Sequence, residues 1–115
     1  MTADEFRQLA LSFPGTEERA HMNHPDFRAH GKIFATLGYP DGEWAMVKLT
    51  PEQQHNYCST YTGIFEPVNG AWGKGGATRV RLAAAKKKLA AQALAEAYGN
   101  LPAGKSAGAR RSAKS

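Results

Sequence analysis

Trp44-Ala45-Met46-Val47-Lys48-Leu49 runs directly into Thr50-Pro51-Glu52-Gln53, and this junction decides the fold. The first six residues are mostly apolar and read as a strand. The next four read as a helix start. Thr50 is the N-cap, Pro51 takes the first helical position, where a missing amide donor is harmless, and Gln53 completes a capping box. A helix is predicted from there to about Thr60.

Toward the N-terminus, Tyr39-Pro40-Asp41-Gly42 is a turn, preceded by two extended segments, Asp26 to His30 and Lys32 to Leu37, hinged at Gly31. Two or three antiparallel strands are expected, with a polar link before them. Thr2-Ala3-Asp4-Glu5 is another capping box, and Phe6, Leu9, Ala10 and Phe13 follow at i, i+3, i+4 and i+7, so an amphipathic helix runs up to Pro14-Gly15. Toward the C-terminus, Ile64 to Val68 reads as an edge strand, because Pro67 removes a ladder donor. Asn69-Gly70 is a turn, and Trp72 to Gly76 is a glycine-rich connection. In Thr78-Arg79-Val80-Arg81-Leu82 the apolar residues alternate inward and the arginines outward. Alanine, leucine, lysine and glutamate then dominate from Ala83 to Tyr98, which predicts a helix with Gly99 as its C-cap. The sum is an α+β, two-layer fold: one antiparallel sheet with helices on one face.

The 115 residues suffice for one core, and residues 1–100 are expected to form it. Residues 101–115 are glycine, alanine, serine and cations after Leu101-Pro102, with no periodic apolar face to offset ordering entropy, and a disordered basic tail is expected there. Net charge is +5, yet residues 1–99 carry only +1, because Lys105, Arg110, Arg111 and Lys114 supply the remainder. A single cysteine, Cys58, excludes an internal disulfide, and the N-terminus is acidic and polar, so a cytoplasmic protein without a membrane segment is expected.

Few residues announce chemistry. His21, His24 and His30, with Glu18 and Asp26 nearby, match no metal-ligand pattern, and no metal or cofactor is assigned. His55 and Cys58 share a helix face, but no orienting group or oxyanion site accompanies them, and a half-buried inert thiol is the plainer account. The glycines at 70, 73, 75 and 76 lack phosphate-loop spacing and precede a strand rather than a helix. Lys74, Arg79, Arg81, Lys86, Lys87 and Lys88 form the one clustered basic feature of the folded part, with Trp72 close in sequence. Cations neutralise phosphates and an aromatic ring can stack, which is what a nucleic-acid surface needs. A solvated face is the alternative.

Phe13-Pro14-Gly15, His24-Pro25-Asp26-Phe27-Arg28, Gly31 to Ala35, Val47 to Glu52, Phe65-Glu66-Pro67, Trp72-Gly73 and Arg79 to Leu82, taken in order, resemble the MmcQ/YjbR family over residues 1 to about 101. The resemblance implies the order α-β-β-β-α-β-β-α, an architecture compared with the frataxin homologue CyaY and with secretion chaperones. It also implies DNA binding and no enzymatic activity. On that basis double-stranded DNA is the expected partner. Phosphate contacts would come from Lys74, Arg79, Arg81 and Lys86 to Lys88, with Arg110 and Arg111 adding non-specific attraction. A protein-interaction module with a protein partner is the alternative, and a monomer is expected in either case.

Overall fold

In the computed structural model, residues 1–21, 24–38 and 41–102 are described. Helix α1 (Ala3–Leu11) begins on the expected Thr2 capping box, which Glu5 closes. Four strands follow: β1 (Thr16–His21), β2 (His24–Ala29), β3 (Lys32–Leu37) and β4 (Trp44–Lys48). The Thr50 box, closed by Gln53, then starts α2 (Pro51–Thr60). The chain continues through β5 (Phe65–Pro67), α3 (Gly70–Lys74), β6 (Ala77–Arg81) and α4 (Lys87–Gly99). The six strands form one sheet in the order β1-β2-β3-β4-β6-β5, antiparallel throughout.

One face of the sheet meets the helices. Ala45 pairs with Val80 and Val47 with Thr78, and Ala45, Val47 and Val80 pack with Phe6 and Ala10 of α1, Tyr57 of α2 and Leu94 and Ala97 of α4. A bulge in β3 enlarges this core. Phe27 pairs with Ala35 and Arg28 with Ile33, so Phe34 is the extra residue, and both Phe34 and Ala35 reach the interior. Phe34 packs edge-on against Phe13 and Tyr98, which stack on each other with centroids 4.9 Å apart.

Four local features differ from the sequence-based expectation. The polar link after Pro14 is strand β1. It lies at the sheet edge, and its helix-side Glu18 is satisfied by Arg7 of α1 at 2.9 Å instead of being apolar, so no alternation betrays it. The expected turn and loose connection at 69–76 contain a short helix, α3. Gly73 allows it, because a Cβ there would lie 1.5 Å from the Val68 carbonyl oxygen. The last helix starts at Lys87, not Ala83. The Met1 ammonium donates to the Leu82 and Ala85 carbonyls, and Ala84 and Ala85 form turns on Arg81. Finally, Asn100 rather than Gly99 is the C-cap of α4, and its side-chain amide donates to Lys48 O and Gln53 Oε1.

Tyr57 is buried, and its hydroxyl donates to Glu96 on α4 at 2.5 Å, joining α2 to α4. Desolvation, then the Glu96 hydrogen bond, pushes the Tyr57 pKa well above its ordinary value of 10.0. The fold therefore binds this proton more tightly than the unfolded chain does. That stabilisation is complete below pH 10 and is lost as pH rises beyond it. Tyr57→Phe is expected to show a shallower loss of stability than the wild type above pH 10, measured by urea denaturation at stepped pH.

Candidate nucleic-acid interface

The opposite face of the sheet carries the candidate site. In antiparallel pairing, residues directly opposite share a face, so the register places Trp44 beside Arg81, Met46 beside Arg79 and Arg79 beside Glu66. The same rule puts Glu17, Arg19, Asp26 and Arg28 on this face at the β1–β2 end, with Lys48 on β4.

Trp44 is its centre. The Arg79 and Arg81 guanidinium carbons lie 4.5 and 4.4 Å from the centroid of its ring, which is only 8 % exposed beneath them. Such contacts are worth about 0.5–1 kcal/mol each at accessible sites. Glu66 draws Arg79 in at 2.6 Å, with Arg81 at 3.9 Å, while Glu43 lies 4.0 Å from Arg81. Arg79 Nε is buried without a hydrogen-bond partner, in keeping with a guanidinium laid on an aromatic ring.

Asp26 is buried on this face. It accepts from Arg28 Nε at 2.8 Å and Nη2 at 3.2 Å, a two-point contact that fixes the guanidinium and raises the Arg28 pKa further. Arg19 and Glu17 lie 3.5 Å apart and are more exposed. At the opposite corner the Lys48 ammonium sits 5.8 Å from the Trp72 ring, and Trp72 is 47 % exposed on α3. A small apolar cluster of Met46, Val68 and Ala77 supports this corner.

The basic residues picked out from the sequence separate in space. Arg79 and Arg81 lie on the face just described. Lys74 ends α3 and, with Arg79, Glu66 and Gln54, lines a shallow groove of about 550 Å³. Lys86, Lys87 and Lys88 stand at the head of α4, in the helix layer, with Lys87 4.0 Å from Glu5. Strand and helix cations thus form no continuous patch, because the turn at 82–86 carries the chain from one layer to the other. Arg110 and Arg111 lie outside the described residues.

Sequence reasoning missed Trp44, Arg19, Arg28 and Lys48. Trp44 and Lys48 were legible from the phase opposite to Ala45, Val47 and Leu49. Arg19 was not, because β1 has no alternation of its own.

The other candidates are ordinary. His30 occupies the β2–β3 turn at φ 56°, and among the described residues no group of three or more His, Cys, Asp or Glu is placed to hold a metal ion. Cys58 is half-buried, and burial followed by the Glu66 charge pushes its thiol pKa up, away from nucleophilic reactivity. His55 is exposed. No helix among the described residues is long and apolar enough to cross a membrane.

A family model described as YjbR matches residues 11–100. No curated protein matches the chain. Among solved structures the chain is similar to the Deinococcus radiodurans protein DR2400, which has a DUF419 domain. Identity is 16 %, the TM-score is 0.72, and the match covers 84 % of this chain and 75 % of that one. At that identity the likeness speaks for the fold.

Proposed function

The chain belongs to the YjbR family, and we propose that it is a non-enzymatic protein that binds duplex DNA through the face of its sheet opposite α1, α2 and α4. One observation carries this: Arg79 and Arg81 both lie against the Trp44 ring, on the face of the sheet that also bears Arg19, Arg28 and Lys48. Guanidinium groups already ordered on an indole lose little further freedom on meeting a phosphate. Arg19 to Arg81 spans four strand spacings, roughly 19 Å, enough to reach several phosphates. Glu17, Asp26 and Glu66 offset part of the charge, so the binding is modest and indifferent to base sequence.

The test is duplex binding at about 50 and 200 mM salt by the full chain and by a chain ending at Pro102, a stop that spares Leu101, which packs on the core. The shortened chain is expected to bind, with affinity falling by at most about 500-fold if all five cations meet phosphates. Replacing exposed Arg19 and half-buried Lys48 together, Arg19→Gln with Lys48→Gln, should lower the salt slope by about 2. Loss of all binding on shortening overturns the proposal and transfers DNA affinity to residues 103–115. That outcome would favour a protein-interaction module, which the pairing of Arg28 with Asp26 and Arg79 with Glu66 already suits.

A further inference from the structure

The lysines at the head of α4 are left unused by the sheet face, and their placement is unfavourable for the fold. Lys86 is the N-cap and Lys87 and Lys88 open the first turn, with no acidic residue in that turn and no side-chain cap on its amides. A helix N-terminus carries partial positive charge, and anionic groups are the ones stabilised there. Three successive lysines at this end work against the helix dipole. Lys87 has Glu5 at 4.0 Å, but neither Lys86 nor Lys88 has a carboxylate within 4.0 Å among the described residues.

Beside them is a groove of about 400 Å³ between the end of α2, the start of β5 and the head of α4. Tyr61, Ile64 and Leu89, all half-buried, give it an apolar lining, and Lys86 and Lys88 line it as well. An apolar lining beside two uncompensated cations suits one kind of occupant: an extended or helical peptide that places a large apolar residue in the groove and carboxylates next to it. Duplex DNA would use the lysines and leave the apolar lining exposed to water. The chain's own C-terminal residues are excluded by charge, since 103–115 hold Lys105, Arg110, Arg111 and Lys114 and no Asp or Glu.

From this charge complementarity we infer that the groove formed by Tyr61, Ile64 and Leu89 docks an acidic peptide segment of a partner protein, with Lys86 and Lys88 pairing its carboxylates. The site is separate from the sheet face and does not depend on DNA binding there. The test pans a random-peptide display library against the full chain, then measures the enriched peptides, made synthetically, against the wild type and a Lys86→Glu, Lys88→Glu variant. Enriched sequences should combine one or two large apolar residues with flanking Asp or Glu, and the variant should weaken them by about tenfold or more. A second variant, Leu89→Ala, should weaken them without changing the salt dependence of binding.

The charge-reversed variant should fold at least as well as the wild type, because glutamates suit that helix end, and a thermal melt checks this. Four results overturn the inference. These are a library that yields no such sequences, enriched peptides that bind the charge-reversed variant as tightly as the wild type, concentration-dependent self-association through these residues, and loss in that variant of anionic-vesicle or duplex binding while peptide binding is unaffected.

Discussion

Gly76→Ala is expected to remove about 3–5 kcal/mol of stability, a large part of the 5–15 kcal/mol that holds a domain of this size together. Gly76 has φ +112°, where an L side chain is strained, and an added Cβ would lie 1.9 Å from the Leu49 carbonyl oxygen. Neither partner can give way. The Gly76 carbonyl accepts from the Leu49 amide at 3.3 Å and from the Thr78 hydroxyl at 2.9 Å, and the flanking Gly73 and Ala77 carbonyls both accept from the Gln54 side chain at 2.9 Å. The glycine thus locks the end of β4 to the start of β6, the two strands that bring Trp44 together with Arg79 and Arg81. Gly42→Ala is the matched control, because nothing lies within 4 Å of its added Cβ, and a change within about 0.5 kcal/mol is expected. Chemical denaturation of the two variants beside the wild type settles the comparison.

Phe34→Ala is expected to cost about 3–5 kcal/mol. The side chain is fully buried and sits at the β3 bulge, where it meets Phe13 after α1 and Tyr98 near the end of α4. Its loss leaves a cavity beside the Phe13 and Tyr98 rings, and that stacked pair, tied to the chain by the Tyr98 hydroxyl on the Pro14 carbonyl, cannot collapse into it. Ile33→Ala, one residue earlier and only partly buried, should cost markedly less. Equal losses would mean that the bulge does not select Phe34 for the core.

These two positions also mark where the sequence is readable and where it is not. Both capping boxes, the Pro67 edge strand and the alternation of Val80 and Leu82 with Arg79 and Arg81 are local signals, set by hydrogen bonds or periodicity within a few residues, and the structure contains them all. Strand β1 was hidden, because its helix-facing position is Glu18, made tolerable by an arginine eleven residues earlier. The β3 bulge was hidden because a run of apolar residues from Ile33 to Leu37 carries no mark of which one breaks the alternation. Helix α3 was hidden because its Gly73 responds to the Val68 carbonyl, and Gly76 just beyond it to the Leu49 carbonyl, and the second of these contacts exists only once β4 and β6 are assembled.

The candidate site divides in the same way. Arg79 and Arg81 follow from the phase of β6 alone. Their joint hold on Trp44 depends on the β4–β6 register, and separating them from Lys86, Lys87 and Lys88 requires knowing that the turn at 82–86 crosses between layers. A run of cations that is continuous in sequence thus becomes two surfaces with different neighbours: an indole and carboxylates on one, an apolar groove on the other.

The most direct measurement of the DNA-binding proposal is the amide spectrum of the isotope-labelled full chain, recorded while a DNA duplex is titrated in. The largest shifts are expected at Arg19, Arg28, Lys48, Arg79 and Arg81 and at the Trp72 indole, with the core-facing Val47 and Val80 amides following their strands. Shifts confined to residues 103–115, or to the head of α4, would contradict binding by the sheet face.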